Sequence, residues 1–586
     1  MTDALRHRGP DDEGSYADDD VSLGHRRLSI IDLSALGHQP MLYEHGGRRV
    51  IVTYNGEIFN FREIRKALEA KGYPFHTGSD TEIILASYLE WGSDCVHRFN
   101  GMWAFALYEP AVRQLLLSRD RFGEKPLHYR LVDGKLIFAS EIKAILAHPI
   151  PRRANRDVVS AYLYRAEANG ALESFFEDIV MLPPAHNAMF DFDARRLTLR
   201  KYYEPRRGSR RVGPDEFRAV LRGSVERRLV SDVPISVSLS GGTDSTSVAA
   251  LTAQLTGASI KAFTTTSDQG VGDETALIAH FLERYPQFDL EKSNLSEASF
   301  CGHYREIIYH MDEPFARQSA YVRWEIANLT GRSGRKVLLN GEGADEVLGG
   351  YDTFVPHFLR YLLGHRKLFR LGRELGSVLT HPERDRIWRG IRDLSRPAVH
   401  RESEKAAADA LRRKFEMRVD CAERADPSYT DIKEFLHAWV HESSLPRLLV
   451  CNDKMAMANS VEGRAPFLDH EFVDLAFSME PADLVTHGYR KYPLRQAMQG
   501  LVPDEILFRK AKDAFHAPIF DYLKSEPIRL RIEDVFREPR TAAIFSPRAY
   551  LDEYRRFLAG RRADRPFLLH ALFLEEWARM FEVDFA

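Results

Sequence analysis

The chain has 586 residues, a length that exceeds one hydrophobic core and predicts roughly two to four domains. Because 82 Lys and Arg nearly balance 85 Asp and Glu, with a formal net charge of −3, we expect no nucleic-acid partner. The four cysteines are widely separated and form no C-x-x-C pair, so they indicate neither a disulfide framework nor a zinc site. No apolar stretch reaches the length of a membrane span, so we expect no membrane partner and a cytoplasmic location.

The first 205 residues alternate short strand patterns with a few helical ones. Strand-like runs occupy residues 49–54, 102–108 and 114–118. Apolar residues at helical spacing predict amphipathic helices over residues 61–71 and 81–90. Together these patterns predict a compact α+β lobe over residues 1–205.

The composition of the sequence changes near residue 205. Residues 204–214 are rich in Gly, Pro and Arg, which predicts an exposed linker. Beyond it, helical patterns alternate with apolar strand-like runs at residues 234–239, 260–265 and 336–339. This βαβα order predicts an α/β domain over residues 206–586, with a parallel sheet, additional helices, and ligands at the carboxyl ends of the strands. The Arg-rich helical stretch over 365–418 fits solvated helix faces better than a basic docking surface.

The segment S-G-G-T-D-S, which begins at Ser240, follows a predicted strand and opens a helix. Gly241 and Gly242 let backbone amides approach an anion, and a helix N-terminus adds partial positive charge. Ser240 and Ser245 can donate hydroxyl hydrogen bonds to phosphate oxygens, and Asp244 beside a polyphosphate is best explained as a magnesium ligand. The segment lacks the G-x-x-x-x-G-K-[ST] pattern of a loop that transfers a γ-phosphate, and a plain strand-to-helix turn stays open as an alternative.

A second glycine-rich segment, N-G-E-G-A-D-E-V-L-G-G-Y, begins at Asn340 and also follows an apolar run. It places Asp345 in a loop after one strand, as the first segment places Asp244 after another. Two acids in two such loops suit a metal–pyrophosphate site. Glu342 is a third carboxylate, and it need not bind the same ion.

With these two loops, residues 206–586 resemble the synthetase domain of glutamine-dependent asparagine synthetases, which belong to the PP-loop ATP pyrophosphatases. Further motifs that carry the resemblance are D-E-P-F at 312–315, D-K-M-A-M-A-N-S-V-E-G-R-A-P-F-L-D at 453–469, R-K-Y-P-L-R at 490–495 and R-K-A-K-D-A-F at 509–515. Ala456 stands where the long motif usually has serine, and Ala514 replaces a glycine. Members of this family activate a carboxylate as its adenylate, release pyrophosphate and let ammonia attack the acyl group.

The resemblance implies a role for each matching residue of this domain. Asp244 and Asp345 would hold Mg²⁺ on the departing pyrophosphate, and Lys491 would neutralise phosphate charge in the transition state. Glu342 would accept the proton that ammonia loses on attack. ATP would contact the two loops, with Leu239 and Thr265 beside the adenine, through the set Leu239, Ser240, Gly241, Gly242, Asp244, Ser245, Thr265, Asn340 and Gly341.

Residues 1–205 resemble the glutaminase lobe of the same family, an Ntn-type amidotransferase sandwich. The matching segments are R-H-R-G-P-D at 6–11, H-R-R-L-S-I at 25–30, Y-N-G-E-I-F-N at 54–60, S-D-T at 79–81 and S-R-D-R-F-G-E-K-P at 118–126. By position, the resemblance implies that Arg27, Glu57 and Asp80 bind glutamine. Arg27 can pair with its α-carboxylate and Asp80 with its α-ammonium. Asn55 and the amide of Gly56 would form the oxyanion hole.

The nucleophile of this family is a cysteine at the mature N-terminus, whose own α-amine acts as the base. The present sequence begins Met-Thr-Asp-Ala-Leu, past the first strand and helix of that lobe, so the lobe is expected to be N-terminally truncated. Thr2 is a weak substitute, because it precedes a turn rather than lying on the required strand. Either the recorded start is an internal methionine, or the lobe has lost glutaminase activity. The complete glutamine-binding set favours the first explanation.

The sequence therefore predicts an ATP- and Mg²⁺-dependent ligase, most simply an asparagine synthetase that takes aspartate, or another carboxylate, and ammonia from glutamine or free ammonium. The resemblance also implies a possible homodimer. Two alternatives stay open. One is an acyl-adenylate ligase that acts on another carboxylate or closes a ring by intramolecular amine attack. The other is a catalytically silent nucleotide-binding relative.

Overall fold

A computed structural model describes residues 1–166, 172–267, 274–395, 397–421, 429, 431–510 and 517–585 of the chain. The last motif of the synthetase resemblance, at 509–515, lies outside the described residues from 511 onward, and so does its Ala514.

The first part of the chain forms antiparallel sheets with helices against them. Its strands are Asp12–Ala17 (β1), Ser22–Arg27 (β2), Met41–His45 (β3), Arg48–Ile58 (β4), Gly101–Glu109 (β5), Gln114–Arg119 (β6), His128–Val132 (β7), Lys135–Ala139 (β8), Val180–Met181 (β9), His186–Asp191 (β10) and Arg196–Lys201 (β11). Its α-helices are Phe61–Glu69 (α1), Thr81–Trp91 (α2), Ile142–Ile145 (α3) and Arg156–Arg165 (α4). One antiparallel sheet has the order β11-β10-β6-β5-β4-β3, and smaller sheets join β8-β7-β9 and β1-β2.

Strand β4 shows how these layers pack. Side chains alternate between the two faces of a strand, so neighbours along β4 enter different cores. Val50 and Val52 lie in the cluster that includes Ile84 of α2, whereas Ile51 lies in the cluster that includes Leu23 of β2. Helices therefore cover one face of the large sheet and smaller sheets cover the other, which confirms the predicted α+β sandwich.

The second part of the chain contains a parallel sheet. Its strands are Ile235–Ser238 (β12), Ile260–Ser267 (β13), Phe288–Leu295 (β14), Val337–Leu339 (β15) and Glu462–Arg464 (β16), and Val485–Thr486 (β17) pairs with Tyr489–Arg490 (β18) in a separate hairpin. The parallel order is β14-β13-β12-β15-β16. This sheet confirms the predicted α/β domain, and its order makes β12 and β15 neighbours.

Helices surround this sheet and extend beyond it. They are Pro214–Arg228 (α5), Thr243–Thr256 (α6), Thr275–Arg284 (α7), Glu297–Met311 (α8), Ser319–Arg332 (α9), Ala344–Leu348 (α10), Phe354–Gly364 (α11), Leu368–Leu379 (α12), Arg384–Ser395 (α13), Pro397–Phe415 (α14), Ile432–His441 (α15), Ser444–Met457 (α16), His470–Ser478 (α17), Tyr492–Ala497 (α18), Asp504–Leu507 (α19), Glu526–Val535 (α20), Pro547–Leu558 (α21) and Arg565–Met580 (α22). None of the helices in the described ranges combines the length and the apolar character needed to cross a membrane.

The predicted linker leaves β11 and runs along α17. Residues 206–211 are exposed. The amides of Gly208 and Arg210 donate to the carbonyls of Phe477 and Ser478 at 3.2 and 2.8 Å, so the segment is anchored along its length. The division into domains at residue 205 stays a prediction.

Buried ion pairs join the two parts of the chain. Arg8, which is 4% exposed, donates to Glu141 at 2.9 Å and to Asp453 at 2.7 Å. The ammonium of Lys125 lies 3.3 Å from Asp453 and 3.7 Å from Glu462. Removing one member of such a set leaves an unpaired buried charge, so these contacts hold β16 and α16 against the antiparallel part.

Candidate functional site

The two predicted nucleotide loops lie side by side at the carboxyl edge of the parallel sheet. The first follows β12 and the second follows β15, and these strands pair directly. A methyl group built on Gly341 would lie 2.9 Å from the Asp244 Cβ atom and 2.9 Å from the Ser245 amide nitrogen. The two loops therefore touch, and the contact excludes any side chain at position 341.

One lysine joins the two predicted metal ligands. Lys491, at the start of α18, places its ammonium 2.6 Å from Asp244 Oδ2 and 2.8 Å from Asp345 Oδ1. Oδ1 of Asp244 is buried and has no hydrogen-bond partner in the described structure. Asp244 and Asp345 thus already share a cation, and Asp244 has an oxygen without a partner. Such a pair fits a Mg²⁺ ion that would be bound jointly by the two carboxylates and by phosphate oxygens.

The first loop has the geometry of an anion-binding turn. Leu239 is buried at the end of β12, and Gly242 is the residue that caps the start of α6. Gly241 has a φ of 72°, which glycine adopts without strain. The hydroxyls of Ser240 and Ser245 lie 2.9 Å apart, so both donors point into the same turn.

Two polar groups predicted to lie near the nucleotide are buried but unused. Thr265 Oγ1, on β13, and Asn340 Nδ2, just after β15, have no partner among the described residues. Asn340 Oδ1 accepts the amide of Glu342 at 3.1 Å, which fixes the orientation of the Asn340 side chain. A buried polar group without a partner costs about 1–3 kcal/mol, so these two atoms are suited to a polar ligand.

Glu342, in the second loop, has a partner that the sequence did not reveal. Glu342 Oε1 accepts a hydrogen bond from Arg323 Nη2 at 2.7 Å, and Arg323 lies within α9. The two residues are 19 positions apart, and the pairing of their side chains follows from the packing of α9 against the loop.

The predicted glutamine-binding residues line a single cavity of about 170 Å³ in the antiparallel part. The structure brings together all five of them, namely Arg27, Asn55, Gly56, Glu57 and Asp80. Thr2 and Glu462 also line this cavity, so its wall includes a residue of the second part of the chain. Thr2 begins a 3₁₀ helix, Thr2–Arg8, and so does not lie on a strand.

Several groups in this cavity are poised for a polar ligand. Asn55 Nδ2 and Glu57 Oε2 are buried without a partner in the described part of the chain. Burial, followed by the neighbouring carboxylates, raises the pKa of Glu57. Burial raises the pKa of Asp80 to about 6, although Asp80 Oδ2 accepts from the Tyr54 hydroxyl at 2.9 Å and the Ile58 amide at 2.8 Å. An ammonium group would stabilise the charged forms of both acids.

Arg27 and Gly56 both line the cavity, one with a side chain and one with its backbone. The Arg27 guanidinium donates to the carbonyls of Ser34 at 2.9 Å and of Asp32, so part of its donor capacity holds its own loop. Sequence reasoning had assigned it only to the glutamine carboxylate, and that contact stays a prediction. Gly56 has a φ of 147°, and a methyl group there would lie 2.1 Å from the Met102 carbonyl oxygen. The backbone amide of the predicted oxyanion hole therefore requires glycine.

Comparison with known families agrees with this geometry on both parts of the chain. A profile described as asparagine synthase matches residues 216–579, and a profile described as a glutamine amidotransferase domain matches residues 1–203. The chain belongs to the asparagine synthase family. This membership confirms the resemblance that the loops and motifs indicated.

Two curated relatives from Bacillus subtilis cover most of the chain. Asparagine synthetase [glutamine-hydrolyzing] 3 is 32% identical over 530 residues, which are 87% of this chain and 82% of that protein. Asparagine synthetase [glutamine-hydrolyzing] 1 is 30% identical over 565 residues, 93% of this chain and 87% of that protein. A solved glutamine phosphoribosylpyrophosphate amidotransferase from B. subtilis is 16% identical over 44% of this chain and 61% of that chain, with a TM-score of 0.26, which is too low to support an argument.

Proposed function

We propose that this protein is an ATP-dependent amidotransferase that converts the side-chain carboxylate of aspartate to an amide and yields asparagine, AMP and pyrophosphate. The observation that carries this proposal is the contact between the loops after β12 and β15, which lets Lys491 bridge Asp244 and Asp345. Family membership and the named relatives support the same reaction class.

In the first step, an oxygen of the substrate carboxylate attacks the α-phosphorus of ATP, and the bond between that phosphorus and the bridging oxygen to the β-phosphorus breaks. Pyrophosphate leaves, and the acyl group is then bound to AMP. Bound Mg²⁺, held by Asp244 and Asp345, would neutralise charge on the phosphates. Lys491 sits between these carboxylates and adds a second positive charge for the leaving pyrophosphate.

In the second step, ammonia attacks the acyl carbon, and the bond from that carbon to the AMP oxygen breaks. AMP leaves with both electrons of that bond. Glu342 accepts one proton from the attacking nitrogen, a transfer that a carboxylate performs well when it is positioned within hydrogen-bond reach. The product is the primary amide.

Ammonia for this step comes from glutamine bound in the 170 Å³ cavity, or from free ammonium. Support for a glutamine site is the unused Asn55 Nδ2 and Glu57 Oε2 in a cavity that also holds Asp80. Glutamine carries an ammonium, a carboxylate and a side-chain amide, so it can form hydrogen bonds and ion pairs with these groups at the same time.

The test is the formation of AMP and pyrophosphate from ATP, Mg²⁺ and ammonium in the presence of single acids from a panel that includes aspartate and glutamate. We expect aspartate to be required. Turnover with a different acid would assign the protein to another carboxylate, and AMP release without ammonium from an amine-bearing acid would indicate ring closure. ATP binding by calorimetry with no turnover on any acid would contradict the proposal and favour a silent relative.

A further inference from the structure

A shielded arginine faces the carboxylate that receives the ammonia proton in the proposed reaction. Arg323 lies within α9, and its Nη2 donates to Glu342 Oε1 at 2.7 Å. Its Nη1 donates to the carbonyl of Ser319, one turn earlier, at 3.3 Å. The guanidinium is therefore held at the helix on one side and at the loop carboxylate on the other.

The loop that carries Glu342 needs such a contact. Its neighbours are Gly341 and Gly343, and Gly343 has a φ of 88°. Glycine on both sides leaves the backbone with few side-chain contacts of its own, so an external partner must define where the Glu342 carboxylate points. Arg323 is that partner, and the side chains of the pair are only 17% and 23% exposed.

The electrostatics favour a charged guanidinium at Arg323. Burial opposes the charge on Arg323, but the Glu342 carboxylate together with Cys451 and Tyr351 outweighs it, so the pKa of Arg323 is raised. Among the described residues, Glu342 also interacts with the Cys451 thiol on α16, the Glu346 carboxyl on α10 and the Tyr351 phenol. Glu346 and Tyr351 are hydrogen-bonded to each other at 2.7 Å, and neither is a cation. In the described part of the chain, Arg323 is the cation seen in hydrogen-bond contact with Glu342.

We propose that Arg323 is a positioning residue for amide formation. It holds Oε1 of Glu342 so that Oε2 faces the acyl carbon and receives the proton. This inference rests on the proposed function, in which ammonia attacks that carbon and AMP leaves with the electrons of the broken bond. Arg323 keeps its charge throughout, so the hydrogen bond that orients Glu342 persists through the reaction.

A positioning role predicts different effects on the two chemical steps. Glu342 takes part only after the adenylate has formed, so loss of Arg323 should spare adenylation. An ion pair that merely supports the fold would affect both steps together. The exchange of labelled pyrophosphate into ATP with aspartate measures the first step, and asparagine formation with ammonium measures the second.

The experiment compares Arg323→Met and Arg323→Lys with Arg332→Met, which removes an exposed arginine from the same helix. We expect Arg323→Met to keep exchange within about twofold while asparagine formation falls about 100-fold, in the range for loss of a positioned acid–base group. Arg323→Lys should recover about tenfold, because lysine restores the charge without the planar fork. Arg332→Met should match the wild type.

If Arg323→Met still exchanges pyrophosphate, similar losses in both steps, or an unchanged rate of asparagine formation, would overturn the inference. If Arg323→Met shows no pyrophosphate exchange, Arg323→Lys provides the test. Normal exchange with slower asparagine formation in Arg323→Lys supports the inference, and wild-type rates in both steps overturn it. Failure of the wild type to form AMP with any acid would remove the proposed function itself. If the wild type is active and the Arg323 variants match its rates in both steps, only the proposed role of Arg323 is removed.

Discussion

Replacing Lys491 with methionine should turn the lysine-bridged pair of carboxylates into a site that binds Mg²⁺ without nucleotide. In the wild type the ammonium lies 2.6 Å from Asp244 and 2.8 Å from Asp345, and a metal ion must compete with it. Two unit charges 4 Å apart attract by about 4 kcal/mol at an effective dielectric constant near 20, so this competition is substantial. In Lys491→Met, about 10 mM Mg²⁺ with a dissociation constant of about 1 mM would stabilise the protein by about 1.4 kcal/mol.

That stabilisation corresponds to an increase in Tm of about 2 °C for a domain of about 380 residues. The assay is thermal unfolding with and without Mg²⁺, with Ca²⁺-free buffer and no nucleotide. The exposed Lys524 provides the control, because Lys524→Met should respond to Mg²⁺ as the wild type does. Adding Asp345→Asn to Lys491→Met should abolish the increase. A Tm of Lys491→Met that does not depend on Mg²⁺ would refute the reasoning, and so would an increase that survives loss of Asp345. The single variant Lys491→Met should also form AMP about 10²–10³-fold more slowly than the wild type.

Three further predictions concern other parts of the molecule. Asp80→Asn should weaken glutamine binding, measured by calorimetry, at least tenfold. Glutamine binding by the wild type should also weaken as the pH falls through about 6, because the buried Asp80 becomes neutral there. Glutamine binding that does not depend on pH would contradict this. Gly341→Val should separate the two loops and weaken ATP binding more than glutamine binding, because its Cβ would lie 2.9 Å from the Ser245 amide. Arg8→Met should lower the free energy of unfolding in urea by about 3 kcal/mol, since the buried Glu141 and Asp453 each lose one of their cationic partners. The exposed Arg6→Met should change it by less than about 0.5 kcal/mol.

The features that sequence reasoning captured are local ones. The S-G-G-T-D-S and N-G-E-G-A-D segments each follow an apolar run, and glycine at Gly241 and Gly341 signals a close backbone approach that the structure contains. The order of strands and helices indicated a parallel sheet, which places such loops at one edge. The strand patterns at 49–54 and 102–108 likewise correspond to β4 and β5.

The contacts that sequence reasoning missed join residues that are distant along the chain or unmarked by any pattern. Lys491 reaches Asp244 across 247 positions, and Arg8 reaches Asp453 across 445. Neither partner can be read from spacing, because the distance depends on how α18 and α16 pack. Arg323 is one of two arginines on α9, and only the rotation of that helix selects it to face the loop. Arg27 binds its own loop because Gly37 leaves room for the guanidinium.

The central claim is that the two touching loops direct the substrate carboxylate to the α-phosphorus of ATP. Aspartate labelled with heavy oxygen in its side-chain carboxylate tests this claim directly, with ATP, Mg²⁺ and ammonium and with mass spectrometry of the products. The account predicts one labelled oxygen in the phosphate of each AMP formed, in equal amount to asparagine. Label in inorganic phosphate with ADP as the nucleotide product would contradict it.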